Sequence, residues 1–313
     1  MSEYKILITD GLDGHGQSIL RASAHVDEKT GLAEADLVKI IADYDGLIVR
    51  GQTRVTTAIF EATSRLKVVG RAGVGVDNID LESAKKHGVA VVNAPTSTTI
   101  AVAELAMGLL LAVAREIPRA DASMKQGGWL KKQFEGVELS GKTLGVIGYG
   151  RIGTEVGRRA AAFGMSVIVY DPNVSEDELV HGDAEPVSLQ DLFAWSDFIS
   201  LHLPLNVQTR DLIGQSEFSQ MRDGVRIVST ARGGIIDEPA LLEALNKGKV
   251  AGAALDVFAK EPPGLTDLVA HPRVIASPHI GAQTGEAQSR AAEDIAEEVL
   301  AALGGKPLRW KVA

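Results

Sequence analysis

The sequence predicts an α/β protein of two doubly wound parallel-sheet domains, the first of them discontinuous. Three observations carry this. Short β-branched runs alternate with helical segments along the whole chain, as strands joined by crossover helices do. A glycine-rich strand–turn–helix begins near residue 144, mid-chain, so a separate unit precedes it. The last segment, Gly285 to about Leu303, has a helical pattern that can return the chain to that first unit. The expected division is 1–98 with 282–313 for a substrate-binding domain, and 99–281 for a nucleotide-binding domain.

Taken in order, the first domain is expected to place strands at Lys5–Thr9, Gly46–Arg50, Lys67–Gly70 and Ala90–Asn93. The stretch from Ile100 to about Arg119 is almost uniformly apolar and reads as one buried helix between the two groups of strands. Its apolar part holds Glu104 and is too short to span a bilayer. Gln126–Trp129 and Glu138–Gly141 read as a loop into the second domain. Strands are then expected at Thr143–Ile147, Ser166–Tyr170, Phe198–His202, Arg226–Ser229, Ala251–Leu255 and Arg273–Ala276.

The run Leu144–Gly153 is the most informative of these. An apolar strand feeds the G-x-G-x-x-G turn Gly148–Gly153, and a helix follows. Gly148 permits the tight turn, Gly150 lets backbone approach a pyrophosphate, and Gly153 lets the helix pack on the strand. The helix N-terminus offers free N–H groups to the phosphates. A second apolar run ends in Asp171, at the distance where a carboxylate accepts from the adenosine ribose hydroxyls. That carboxylate would repel a 2′-phosphate, and Pro172-Asn173 supply no arginine to receive one, so the second domain is expected to be Rossmann-like and its cofactor NAD.

Composition narrows the function. The chain has 313 residues, enough for two cores. A formal net charge of −9 argues against a nucleic-acid or anionic-membrane partner. The absence of cysteine excludes disulfides, thiolate metal sites and cysteine nucleophiles. The start, Met1–Lys5, leads straight into a strand without a basic and apolar leader, so the cytoplasm is the expected location. No His, Asp or Glu cluster has metal-ligand spacing, and no metal is expected.

A dinucleotide such as NAD accepts hydride, and where the donor is an alcohol the hydroxyl proton needs a base titrating near neutrality, for which histidine is the candidate residue type. Of seven histidines, His279 follows Pro278 at the end of a strand-like run; on spacing alone it is either that base or a turn histidine. Glu261, just past Ala251–Leu255, is either a partner that stabilises an imidazolium or a solvated loop carboxylate. Arg232, beside Gly233-Gly234, is either a carboxylate clamp that polarises a carbonyl or a turn arginine. Gly73-Val74-Gly75 is either a nest of N–H groups for a carboxylate or a simple loop. Arg50 and Arg71, at strand ends, are either pocket or surface arginines, and His202 reads as a packed histidine.

Four separate motifs carry a resemblance: Gly148–Gly153 with Tyr170–Pro172, Ser229–Asp237, Asp256–Pro262 and Ser277–Gly281. Together they resemble the D-isomer-specific 2-hydroxyacid dehydrogenase family over essentially the whole chain. The resemblance implies a catalytic set of His279, Glu261 and Arg232. It implies that NAD is bound by Gly148, Gly150, Arg151, Ile152, Gly153, Asp171, Leu203, Pro204, Thr230, Ala231, Asp256, His279, Gly281 and Val74, with Asp256 on the nicotinamide carboxamide. Glu261 disfavours the formate dehydrogenase branch, which typically carries Gln there.

Leu47–Arg50, Val55-Thr56, Val69–Asp80 and Met124–Gly136 look most like the D-3-phosphoglycerate dehydrogenase subfamily. That likeness implies that Arg50 and Arg71 bind a substrate phosphate, that Gly73, Val74 and Arg232 also meet substrate, and that Lys131 reaches a neighbouring subunit's site. It further implies a small anionic substrate lying in the cleft between the domains, a homodimer or homotetramer, and a short form lacking a C-terminal regulatory module. Five positions depart from the subfamily pattern. Gly51-Gln52 replace Ser-Ala, Val74 replaces Thr, Ser229 replaces Asn, and Lys131 replaces an Arg whose fork a lysine does not reproduce. Glyoxylate, hydroxypyruvate or sulfolactate turnover, and an NAD-sensing corepressor, are the alternatives.

Overall fold

The computed structural model describes residues 4–172, 174 and 184–313. Met1–Glu3 and Asn173, part of the segment read as cofactor-selecting, lie outside the described residues. The chain forms two compact units, Met1–Thr99 with Ala282–Ala313, and Ile100–Gly281.

In the first unit, β1 (Lys5–Ile8), β2 (His25–Glu28), β3 (Gly46–Val49), β4 (Val68–Arg71) and β5 (Ala90–Asn93) form a parallel sheet in the order β2-β1-β3-β4-β5. Alternation sorts their side chains. Leu7, Leu47, Val69 and Val91 pack on one face with Leu37, Ile59, Phe60 and Ala84 of the covering helices. Ile6, Ile8, Ile48, Val68 and Val92 pack on the other with Leu20 and with Ile295, Ala296 and Val299 of helix Gly285–Leu303. A sheet covered on both faces has near-continuous apolar strands, which is why these runs stand out in the sequence. After the last helix the chain straps onto β5: Val312 N–H donates to Val91 O at 2.8 Å and Asn93 N–H to Trp310 O at 3.2 Å. Glu298, 2% exposed, holds the strap by accepting from Arg309 Nε and the Trp310 N–H, both at 3.0 Å.

In the second unit, β6 (Thr143–Ile147), β7 (Ser166–Tyr170), β8 (Ala184–Pro186), β9 (Phe198–Leu201), β10 (Val225–Ser229), β11 (Val250–Leu255) and β12 (Val274–Ala276) are all parallel. Their order is β12-β11-β10-β9-β6-β7-β8. The direction of progression reverses at β6/β9, so the loops after these strands flank a topological switch point, where open α/β sheets bind ligands.

Two expectations need correction. The strands β2 and β8 escape the sequence reading: each is a short edge strand, and His25–Glu28 buries only Val26. The apolar helix does not run to Arg119. It spans Thr99–Arg115, and a second helix, Ile117–Lys125, begins after Glu116, which takes φ 52°. Pro118 is the cause, since it has no N–H for the Ala114 carbonyl; that carbonyl accepts from Val137 N–H at 2.9 Å instead. Among the described residues no helix is long and apolar enough to cross a membrane.

Glu298→Ala removes the buried carboxylate that accepts from Arg309 Nε and the Trp310 N–H. The expected cost is about 1–3 kcal/mol in urea unfolding, with faster amide exchange at Asn93 as the strap loosens. Unchanged exchange there would show that Glu298 does not hold the strap.

Candidate active site

The turn after β6 is built for close approach. Gly148 takes φ 93°, and a Cβ there would lie 2.8 Å from His202 C and 2.9 Å from Leu203 N, so the β6 and β9 loops touch through the missing side chain. At Gly153 a Cβ would meet the Gly148 carbonyl oxygen at 2.1 Å. Gly150 is the N-cap of helix Arg151–Ala162, with no side-chain cap and nothing within 4 Å of where its Cβ would be. Arg151 and Ile152 open that helix, whose first N–H groups are available to an anion. Asp171 is held beside the turn, accepting from the Tyr149 N–H at 2.9 Å.

The neighbouring strand ends add orphaned polar atoms. The Thr230 hydroxyl, after β10, is buried and has no hydrogen-bond partner among the described residues, and the same holds for His202 Nδ1 after β9. Leaving such a group unpaired costs about 1–3 kcal/mol, which a ligand with matching polar groups relieves. Leu203 and Ala231 are buried and Pro204 is exposed beside them. An open helix N-terminus after β6, a carboxylate after β7 and orphaned polar atoms after β9 and β10 fit a dinucleotide. His202 itself is packed: its Nε2 lies 2.8 Å from Ser200 Oγ, and burial pushes its pKa down to about 3.

The loops after β10, β11 and β12 converge. His279 Nδ1 lies 2.8 Å from Glu261 Oε2, and the other carboxylate oxygen accepts from the Phe258 N–H at 3.1 Å. A carboxylate can only accept, so Nδ1 carries the proton and Nε2 presents a lone pair. Burial pushes the Glu261 carboxyl up. The hydrogen bond to His279, the Phe258 N–H and the charges of His279 and Arg232 outweigh burial and hold it below the ordinary carboxylate range. Arg232 follows β10, with Nη1 on Ala231 O at 2.8 Å. Its loop is locked to the Glu261 loop at Gly233, where a Cβ would sit 1.8 Å from the Phe258 carbonyl oxygen.

Asp256 has a duty that sequence reasoning missed. It is 1% exposed, and its carboxylate accepts from Ser277 Oγ at 2.6 Å and from the Ile280 and Gly281 N–H groups at 2.9 Å. Its carbonyl accepts from the His279 N–H at 2.9 Å. These bonds hold His279 at φ 53°, a left-handed conformation rare for a residue with a Cβ. The β-strand end at Asp256 was visible in the sequence; the ring of donors around it was not.

In the first unit, Arg50 follows β3 and Arg71 ends β4, in adjacent strands where Val49 pairs with Arg71. The Arg71 guanidinium lies against Gly73, where a Cβ would be 1.6 Å from Nη1. Gly73 takes φ 145°, and Val74 is fixed through its carbonyl by Asn93 Nδ2 at 2.6 Å. Lys131, in the second unit, is exposed on a short 3₁₀ turn, Lys131–Gln133.

Residues 107–281 match the model for the NAD binding domain of D-isomer specific 2-hydroxyacid dehydrogenases. The chain belongs to that family. It is 48% identical over 305 residues to D-3-phosphoglycerate dehydrogenase of Rattus norvegicus, covering 97% of this chain and 57% of the relative. It is 49% identical over 303 residues to the enzyme of that name from Methanocaldococcus jannaschii, covering 96% and 58%. The chain thus spans little more than half the length of these relatives. A glyoxylate reductase structure from Paecilomyes thermophila superposes with a TM-score of 0.91 at 33% identity, covering 99% of this chain and 98% of that one. The domain over 107–281 is an NAD-binding domain, and its parallel sheet is the one that carries the glycine turn.

The Glu261 carboxyl, lowered on folding, stabilises the fold above the unfolded carboxylate pKa and loses that contribution as pH falls through its lower folded value. The gap in unfolding free energy between the wild type and Glu261→Gln should therefore be constant near neutrality and shrink in acid. A gap that widens in acid would contradict the assigned direction.

Proposed function

We propose that the protein oxidises a D-2-hydroxy acid with NAD, and that the substrate is D-3-phosphoglycerate, converted to 3-phosphohydroxypyruvate. The observation that carries the chemistry is the 2.8 Å contact of His279 Nδ1 with Glu261, which leaves Nε2 as the acceptor for a hydroxyl proton. The identity of about 48% to D-3-phosphoglycerate dehydrogenases supports the substrate.

NAD, when bound, supplies the acceptor for the hydride that leaves substrate C2. His279 takes the hydroxyl proton at Nε2. Glu261 stabilises the imidazolium so formed and fixes the ring's tautomer. Arg232 binds the substrate carboxylate with its fork of donors and polarises the C2 oxygen as it becomes a carbonyl. Asp256 keeps His279 in place through the 277–281 loop. The Gly148–Gly153 turn takes the pyrophosphate, Asp171 takes the adenosine ribose, and Thr230 offers its hydroxyl. Arg50 and Arg71 take the phosphate, and the Gly73-Val74 backbone helps receive the carboxylate. A lysine at 131 would add charge from a neighbouring subunit. Family membership extends the proposal to a homodimer or homotetramer acting in the cytoplasm.

His279→Ala should lower kcat by roughly 10²–10⁴ with NAD binding retained, measured by NADH absorbance and NAD titration; unchanged turnover removes His279 from the mechanism. In a panel of phosphorylated, sulfonated and plain 2-hydroxy acids, D-3-phosphoglycerate should have the highest kcat/KM. A higher value for glyoxylate or sulfolactate would overturn the substrate assignment.

A further inference from the structure

The backbone around Arg50 is pinned from both sides. The Asp10 carboxylate accepts from the N–H groups of Arg50 (2.8 Å), Gln52 (3.1 Å) and Thr53 (3.0 Å), and from the Thr53 hydroxyl. Asn78 Nδ2 donates to the Arg50 carbonyl at 3.1 Å and to the Thr53 carbonyl at 2.7 Å. The segment cannot slide, and only the Arg50 side chain remains to be aimed.

Gln283 does the aiming. Arg50 Nη2 donates to Gln283 Oε1 at 3.0 Å. That oxygen also accepts from Gln288 Nε2 at 2.9 Å, and the same Nε2 donates to the Ala282 carbonyl at 2.6 Å. The acceptor is thus fixed by a second glutamine anchored to backbone. Among the described residues Arg50 has no carboxylate within ion-pair distance, and Asp10 spends its oxygens on backbone N–H groups. The guanidinium is half-buried and its side-chain acceptor, Gln283 Oε1, is neutral. Burial presses its pKa below the ordinary arginine value against the opposing charge of Asp10, so a bound anion is favoured there.

We infer that Gln283 is a positioning residue that aims the Arg50 guanidinium without neutralising it, and so sets this site's preference for a doubly charged substrate end. The inference rests on the reading of Arg50 as a phosphate-binding residue. A carboxamide oxygen occupies one of five guanidinium donors and leaves the others for a forked contact with phosphate. A glutamate at 283 would hold the same N–H more strongly and cancel the charge the phosphate needs. A methionine would match the volume and hold nothing.

The test compares kcat/KM for D-3-phosphoglycerate and for D-glycerate in the wild type, Arg50→Ala, Gln283→Met, Gln283→Glu, and each Gln283 variant combined with Arg50→Ala. Gln283 is exposed, so thermal unfolding midpoints should match the wild type. Expected is a roughly ten- to hundredfold loss for D-3-phosphoglycerate in both single Gln283 variants, expressed in KM with kcat retained. D-Glycerate should change less than about twofold, and the Gln283 changes should have no further effect once Arg50 is alanine. Arg50→Ala selective for the phosphorylated substrate, with Gln283 variants keeping the wild-type preference, would overturn the role of Gln283 alone. Equal losses for both substrates in Arg50→Ala would overturn the phosphate reading and the Gln283 role together.

Discussion

The site turns on one hydrogen bond, from His279 Nδ1 to the Glu261 carboxylate at 2.8 Å. A neutral imidazole has one donor and one acceptor, and a carboxylate dictates which nitrogen is which. The bond therefore selects the form of His279 that can accept a proton at Nε2, and it places a negative charge where the resulting imidazolium needs one. The bond depends in turn on loops far apart in the chain. Asp256 ties the 277–281 loop, the Phe258 N–H ties Glu261, and the absent side chain of Gly233 brings the Arg232 loop onto Phe258.

Parallel strands explain why these residues can meet at all. Every strand of the 143–276 sheet runs the same way, so every loop that follows a strand emerges at one edge. The glycine turn after β6, Leu203 after β9, Thr230–Arg232 after β10, Asp256–Glu261 after β11 and His279 after β12 are successive positions on that edge. The reversal of strand order at β6/β9 opens the crevice beside the glycine turn. Buried polar atoms with no partner among the described residues, Thr230 Oγ1 and His202 Nδ1, lie at that same edge.

Much of this is legible in the sequence because the sheets are buried on both faces. Leu144–Ile147, Val167–Val169 and Phe198–Leu201 are fully buried runs, apolar apart from Gly145 and Ser200, with little alternative reading. Edge strands are not, since His25–Glu28 and Ala184–Pro186 bury too little to leave a pattern. Helix Thr99–Arg115 and helix Ile117–Lys125 are separated by Glu116 alone, so the helical pattern continues across the break and Pro118 marks the boundary. At the site, the motif order marks His279, Glu261 and Arg232, while their contacts depend on sequence separations that no local pattern encodes. Asp256, Asp10 and Gln283 are read last because their roles lie in bonds to backbone N–H groups and to another side chain, which residue type alone does not disclose.

The most direct measurement is the protonation pattern of the His279 ring, read from nitrogen-15 chemical shifts of imidazole-labelled protein at a pH where the ring is neutral. A protonated Nδ1 and an unprotonated Nε2 are expected, with the preference lost in Glu261→Leu. A proton on Nε2 in the wild type would mean that the ring faces substrate as a donor, and the proposed role of His279 as proton acceptor would fail.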